Sequence, residues 1–340
     1  MMLRTTLAAA ALILSPALRA QDQPVPAPPP RQRPPAVFEL QALDPSFWKL
    51  FDKSAKLETM GTDFGFTEGP VWDPSGFLWV SDEEKNILYK LYPDGRKEEI
   101  QHLGDPDGNT YDQQHRLIVT ASVLRAIIRL SPDGKTYDVL ADKYEGQRLN
   151  SPNDVTLGPD GAIYFTDPTL DLVKGETQET PFKGVYRLDA AGKVTLLTKD
   201  LDQPNGLAFS PDGKYLYIDD SAQKNIRRYR FDKTKGTISD GMIFADEKVE
   251  GVRGGVPDGI KLDKAGNIFV TGPRGIWVWN KSGKHIGTIV TPRGPANLTW
   301  GGPSYSTLYL TAGKNVYILQ TKTKGALPYP LKAKSGAKQK

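Results

Sequence analysis

One phrase recurs six times along this chain: a turn carrying Asp, Gly or both, a short alternating apolar strand, a polar gap and a second strand. The copies are "PSGFLWVSDEEKNILYKL", "QQHRLIVTASVLRAIIRL", "PDGAIYFTDPT" with "GVYRL", "PDGKYLYIDDSAQKNIRRYRF", "KAGNIFVTGPRGIWVW" and "SYSTLYLTAGKNVYIL". Taking the first strand residue of each as reference, Leu78, Leu117, Ile163, Leu216, Ile268 and Leu308 stand 39, 46, 53, 52 and 40 residues apart. Units of about 40 to 50 residues hold about four strands each, as a propeller blade does. The period-2 alternation, such as Leu78 and Val80 against Trp79 and Ser81, is that of sheet. A β-sandwich does not need six like-sized units. The fold class expected is therefore all-β, a six-bladed β-propeller.

Upstream, "DPSFWKLF" offers Asp44 as an N-cap, Pro45 at the first helical position and Phe47, Leu50 and Phe51 on one face, so a short N-terminal helix is expected against the propeller. A ring closed from one chain leaves a seam, and "AKLETM" (55 to 60) is placed to supply the missing strand of the last blade. The propeller is expected over 38–325. Residues 1–20, with Arg4, an apolar run from Leu7 to Leu14 and Ala20, have the layout of a signal peptide and predict a periplasmic or secreted protein. That run is too short to span a bilayer, which takes about 20 apolar residues. Residues 21–37 read as a Pro-rich linker and 326–340 as a basic flexible tail.

The ends account for the charge. Arg4 and Arg19 in the leader and Lys332, Lys334, Lys338 and Lys340 in the tail leave 38 basic against 40 acidic residues. A near-neutral body gives no electrostatic ground for nucleic acid as a partner. With no cysteine, disulfides, thiolate metal sites and cysteine nucleophiles are excluded. The three histidines, His102, His115 and His285, fall outside the repeat phase described next and read as surface residues.

Ten or eleven residues before each reference position stands an oxygen-bearing side chain: Glu68, Asp107, Asn153, Asn205, Asp258 and Asn297. Any one of them could be there for its turn. Turns would not demand one phase across units of unequal length, whereas a propeller would gather the six around its axis at one mouth. Crowded, desolvated carboxylates and amides call for a counter-charge. Hard oxygens without Cys or His suit Ca²⁺ or Mg²⁺ better than zinc. Four side chains and waters would fill a shell of about six to eight oxygens.

From about Asp44 to about Gln320, "TEGPVW", "RLNSPNDVTLGPDGAIYFTDP", "PNGLAFSPDGKYLYIDDS", "PDGIKLDKAGNIFVTGPRGIWVW" and "PANLTWG" together resemble the senescence-marker-protein/gluconolactonase family of six-bladed propellers. The resemblance implies one divalent cation, often calcium, with Mn²⁺ or Zn²⁺ as further candidates, held by Glu68, Asn153, Asn205 and Asp258. It implies hydrolysis of a sugar lactone or related cyclic ester, with Asp258 activating water. Asp107, Asn153 and Asn297 would face substrate, as would Ser122, which stands where many bacterial relatives have a histidine. Two other functions share the scaffold: a metal-stiffened propeller binding a carbohydrate or protein, and a phosphotriesterase-like hydrolase.

Overall fold

The computed structural model describes residues 37–248 and 254–331. The expected leader, nearly all of the linker and residues 332–340 of the tail lie outside them. Six antiparallel four-stranded units follow one another. Blade 1 is Thr67–Asp73, Phe77–Asp82, Ile87–Leu91 and Lys97–His102; blade 2 is Pro106–Tyr111, Leu117–Ala121, Ala126–Leu130 and Tyr137–Ala141. Blade 3 is Val155–Leu157, Ile163–Asp167, Gly184–Leu188 and Val194–Thr198; blade 4 is Pro204–Phe209, Tyr215–Asp220, Asn225–Asp232 and Thr237–Asp246. Blade 5 is Ile260–Leu262, Ile268–Gly272, Gly275–Trp279 and His285–Val290, extended by Glu39–Ala42 on its outer edge. The first strand of each blade touches the first strand of the next, and blade 6 touches blade 1, which closes the ring.

Closure uses both ends of the chain. Blade 6 takes Asn297–Gly301, Thr307–Ala312 and Asn315–Gln320 from the C-terminal side and Leu57–Gly61 as its fourth strand, paired antiparallel to Asn315–Gln320. The seam strand is thus where "AKLETM" placed it. Thr67 adds a second clasp: its N–H and hydroxyl both donate to the Gly313 carbonyl, at 2.8 and 2.9 Å. Trp72 of blade 1 stacks on Tyr309 of blade 6 with centroids 5.3 Å apart.

The expected helix is a 3₁₀ turn, Pro45–Lys49, capped by the Asp44 carboxylate accepting from Ser46 N–H at 2.8 Å. Phe47, Leu50 and Phe51 are buried among Phe269, Ile276 and Leu298 of blades 5 and 6. Full burial of such side chains contributes roughly 1.5–3 kcal/mol each. Among the described residues no helix is long and apolar enough to cross a membrane.

Two expectations need correction. Ala326–Tyr329, counted with the tail, folds back onto the barrel: Ala326 N–H donates to the Leu262 carbonyl at 2.9 Å, and Tyr329 is buried against Tyr111. His115 is not a surface residue either, and His285 is half-buried. His115 is buried, stacked on Tyr111 and 3.5 Å from the Asp73 carboxylate, and His285 lies flat on Trp277. Aromatic rings cover both imidazoles, and the repeat phase carries no signal of that packing. His102 is exposed, as expected.

Candidate functional site

Each in-phase residue sits at or just before the innermost strand of its blade. The residue after it packs against the neighbouring blade, and in four of the six blades it is glycine: Gly69, Gly108, Gly206 and Gly259. A side chain at Gly69, at φ +47°, would lie 2.0 Å from the Asp107 carbonyl oxygen, and one at Gly206 would lie 2.1 Å from that of Asp258. Only glycine lets the strands close to this radius. The Gly108 N–H then donates to the Asn153 carbonyl at 2.9 Å, linking blades 2 and 3 at the ring.

Carboxylates at the ends of second strands fix the loops that deliver three of these residues. Asp82 accepts from Gly65 N–H at 2.9 Å and Phe66 N–H at 3.1 Å, just ahead of Glu68. Asp167 accepts twice from Asn150 N–H at 2.9 Å, ahead of Asn153. Asp220 accepts from Asp202 and Gln203 N–H at 2.7 and 3.1 Å, ahead of Asn205. These pins were not singled out from the sequence. Their signal was present: in "VSD", "FTD" and "IDD" an aspartate stands 14, 14 and 15 residues after the in-phase residue.

Glu68, Asn153, Asn205 and Asp258, contributed by blades 1, 3, 4 and 5, line one cavity of about 340 Å³ together with Phe66, Glu83, Glu84, Leu170 and Asp171. Three expected substrate contacts do not line it. Asn297 lies beneath, donating from Nδ2 to Glu68 Oε2 at 2.9 Å, and so positions the glutamate. Asp107 is buried and accepts from Asn153 Nδ2, which also reaches Asp171 at 3.3 Å. Ser122 is buried at the interface of blades 2 and 3, its hydroxyl donating to the Pro152 carbonyl at 3.0 Å, so its short side chain is committed to the scaffold. Glu83 and Asp171 were missed because they lie outside the repeat phase, on the connections after the second strands of blades 1 and 3.

The mouth is acidic, with no basic side chain lining it among the described residues. Burial pushes the Glu68 carboxyl up to about 7, against hydrogen bonds from Gly69 N–H and Asn297. Burial, then the charges of Glu68 and Asp171, pushes Glu83 up to about 10. Asp107 and Asp258 are raised well above the usual carboxylate range, by burial first and by neighbouring acids second. Such groups favour folding while protonated; their contribution is complete below the unfolded values and is lost as pH climbs through the folded ones. Chelator-treated protein is therefore expected to melt at progressively lower temperature from pH 7 to pH 9. Thermal melts across that range check it, and a flat profile would show the acids already paired.

The donors suit a cation. Asn153 spends its amide nitrogen on Asp107 and Asp171, and Asn205 donates to Ser221 Oγ at 3.2 Å, so each has its amide oxygen left for another partner. Asn205 Oδ1 is buried with no partner in the protein. Among the described residues no group of three or more His, Cys, Asp or Glu is set to hold a metal. The set here is two carboxylates and two amides.

Residues 66–314 match the family described as the SMP-30/Gluconolactonase/LRE-like region. A gluconolactonase of Zymomonas mobilis is 33% identical over 85% of this chain and 88% of its own length. Pentonolactonase XacC of Haloferax volcanii is 27% identical over 72% and 80%. Among solved structures, XC5397 of Xanthomonas campestris, described as a gluconolactonase, superposes with a TM-score of 0.77 at 30% identity, covering 85% of this chain and 99% of its own.

Proposed function

The chain belongs to the SMP-30/gluconolactonase/LRE-like family and is a lactonase-type hydrolase, and from that premise we propose that it opens a small sugar lactone at the mouth formed by Glu68, Asn153, Asn205 and Asp258. The observation that carries this reading is their convergence, from four blades, on one acidic cavity. A divalent cation would be held by the two carboxylates and the two amide oxygens, an all-oxygen set that suits Ca²⁺, Mg²⁺ or Mn²⁺ better than Zn²⁺. When bound, it supplies a Lewis acid for the lactone carbonyl and a counter-charge for the acids around it.

The residues divide the remaining work. Asp258 takes a proton from water as the water oxygen attacks the carbonyl carbon. The bond from that carbon to the ring oxygen then breaks, and the ring oxygen takes up a proton, giving the open hydroxy acid. Glu83, which lines the same cavity and whose carboxyl burial pushes above the usual range, can donate to that oxygen. Asp171 offers an acceptor for sugar hydroxyls, while Phe66 and Leu170 supply apolar surface for the ring face. Asn297 and Gly69 N–H hold Glu68 in place.

Acid release from a panel of aldonolactones tests the proposal. Chelation is expected to lower the rate by about 10²-fold or more, with recovery on adding Ca²⁺ or another divalent ion, since a polarising ion contributes several kcal/mol to the transition state. Hydrolysis indifferent to chelator would remove the cation from the reaction.

A further inference from the structure

A second chamber lies along the inner strands and shares no lining residue with the mouth. We propose that this chamber is a binding site for a small carboxylate with an apolar body. Its volume is about 390 Å³, and it is closed on one side by Ala326–Tyr329. A pocket of that size lies within the range of about 300–1,000 Å³ that takes small ligands. Val155, Leu157, Phe209 and Leu262 give it apolar wall.

Among the polar side chains that line it, three are buried and carry an unspent atom. Asn109 Oδ1, Trp300 Nε1 and the Tyr329 hydroxyl belong to residues only 5%, 1% and 6% exposed, and none of the three atoms has a partner in the protein. All three residues line the chamber. Buried polar atoms almost always find partners, so three around one space mark a place where something polar is received. Lys261 lines the same space. Its ammonium is 3.5 Å from Asp154 Oδ2 and 3.5 Å from Asn297 Oδ1, both at the long limit of hydrogen bonding, which leaves it capacity for a closer acceptor.

The balance of these groups selects the ligand. Lys261, Trp300 and Tyr329 are donors, and Asn109 Oδ1 is the one acceptor among the four. A carboxylate accepts several hydrogen bonds at once and donates none. Asp154 shares the Lys261 charge, so selection over a neutral molecule rests on hydrogen bonding together with a partial positive field. The apolar wall of Val155, Leu157, Phe209 and Leu262 suits a hydrocarbon body, aromatic or branched.

Isothermal titration of the full chain with phenylacetate, benzoate and hexanoate, each against its amide, tests this in chelated and calcium-loaded protein alike. The expected result is one site, preferring the acid over the amide by at least about tenfold and unaffected by chelator. Lys261→Met is expected to weaken the acids at least tenfold while leaving the amides within about twofold. Ala208→Phe, which fills the chamber from its wall, is expected to abolish both. Thermal melts show which variant folds, and either one suffices. Absence of binding, equal affinity for acid and amide, or binding seen only with calcium present, which would place the acid at the mouth, overturns the proposal.

Discussion

Asp258→Asn is expected to lower kcat/KM for a sugar lactone by about 10²–10⁴, the usual contribution of a positioned proton acceptor. The substitution keeps shape and one donor oxygen but removes the proton acceptor. Asp258 lines the mouth beside Asn205 and in the field of Glu68, Asp154 and Asp171. Folding is not expected to suffer: replacing a buried acid that neighbouring acids repel removes an unfavourable charge. Initial rates by acid release, beside thermal melts of both proteins, provide the check. Near-normal turnover would return the proton transfer to another mouth acid, with Asp171 the first to examine.

Removing residues 1–61 is expected to leave no cooperatively folded protein. The truncation deletes the outer strand of blade 6, the 3₁₀ turn and the strand on the edge of blade 5. Phe47, Leu50, Phe51 and Met60 are buried, and at roughly 1.5–3 kcal/mol each their loss is comparable to the whole stability of a domain, about 5–15 kcal/mol. Phe51→Ala is the milder form, expected to cost about 3–5 kcal/mol as a large-to-small core change. Thermal and denaturant melts measure both. An unchanged midpoint in the truncated chain would show that the ring holds without its clasp.

The repeat made the fold legible because every blade must solve the same packing problem, so Leu78, Leu117, Ile163, Leu216, Ile268 and Leu308 mark equivalent strands. Unequal spacing did not obscure them. The structure accounts for it through a small hairpin, Lys143–Tyr144 with Gln147–Arg148, the long connection 168–183, and the extended outer strands of blade 4. The shared phase located the ring, but it could not distinguish the residue at the surface of the mouth from the one a layer below. Asn297 and Asp107 have the right phase and side-chain type, yet bond to Glu68 and Asn153 instead of lining the cavity. Glu83 and Asp171 escaped for the opposite reason: they arrive from connections, where no periodicity constrains them. Ser122 was placed by likeness to relatives, and its small hydroxyl turned inward to Pro152.

The connection 168–183 enters the mouth through Leu170 and Asp171 while leaving Leu170 and Val173 largely exposed. The loops that deliver Glu68, Asn153 and Asn205, three of the four residues proposed to hold the cation, are pinned from within the blades by Asp82, Asp167 and Asp220. Most of the proposed cation ligands and the wall of the mouth are thereby placed on different pieces of chain, with Asp171 the point where the two meet. Exchanging this one segment between homologous enzymes should transfer preference for ring size or hydroxyl configuration without rebuilding the machinery beneath.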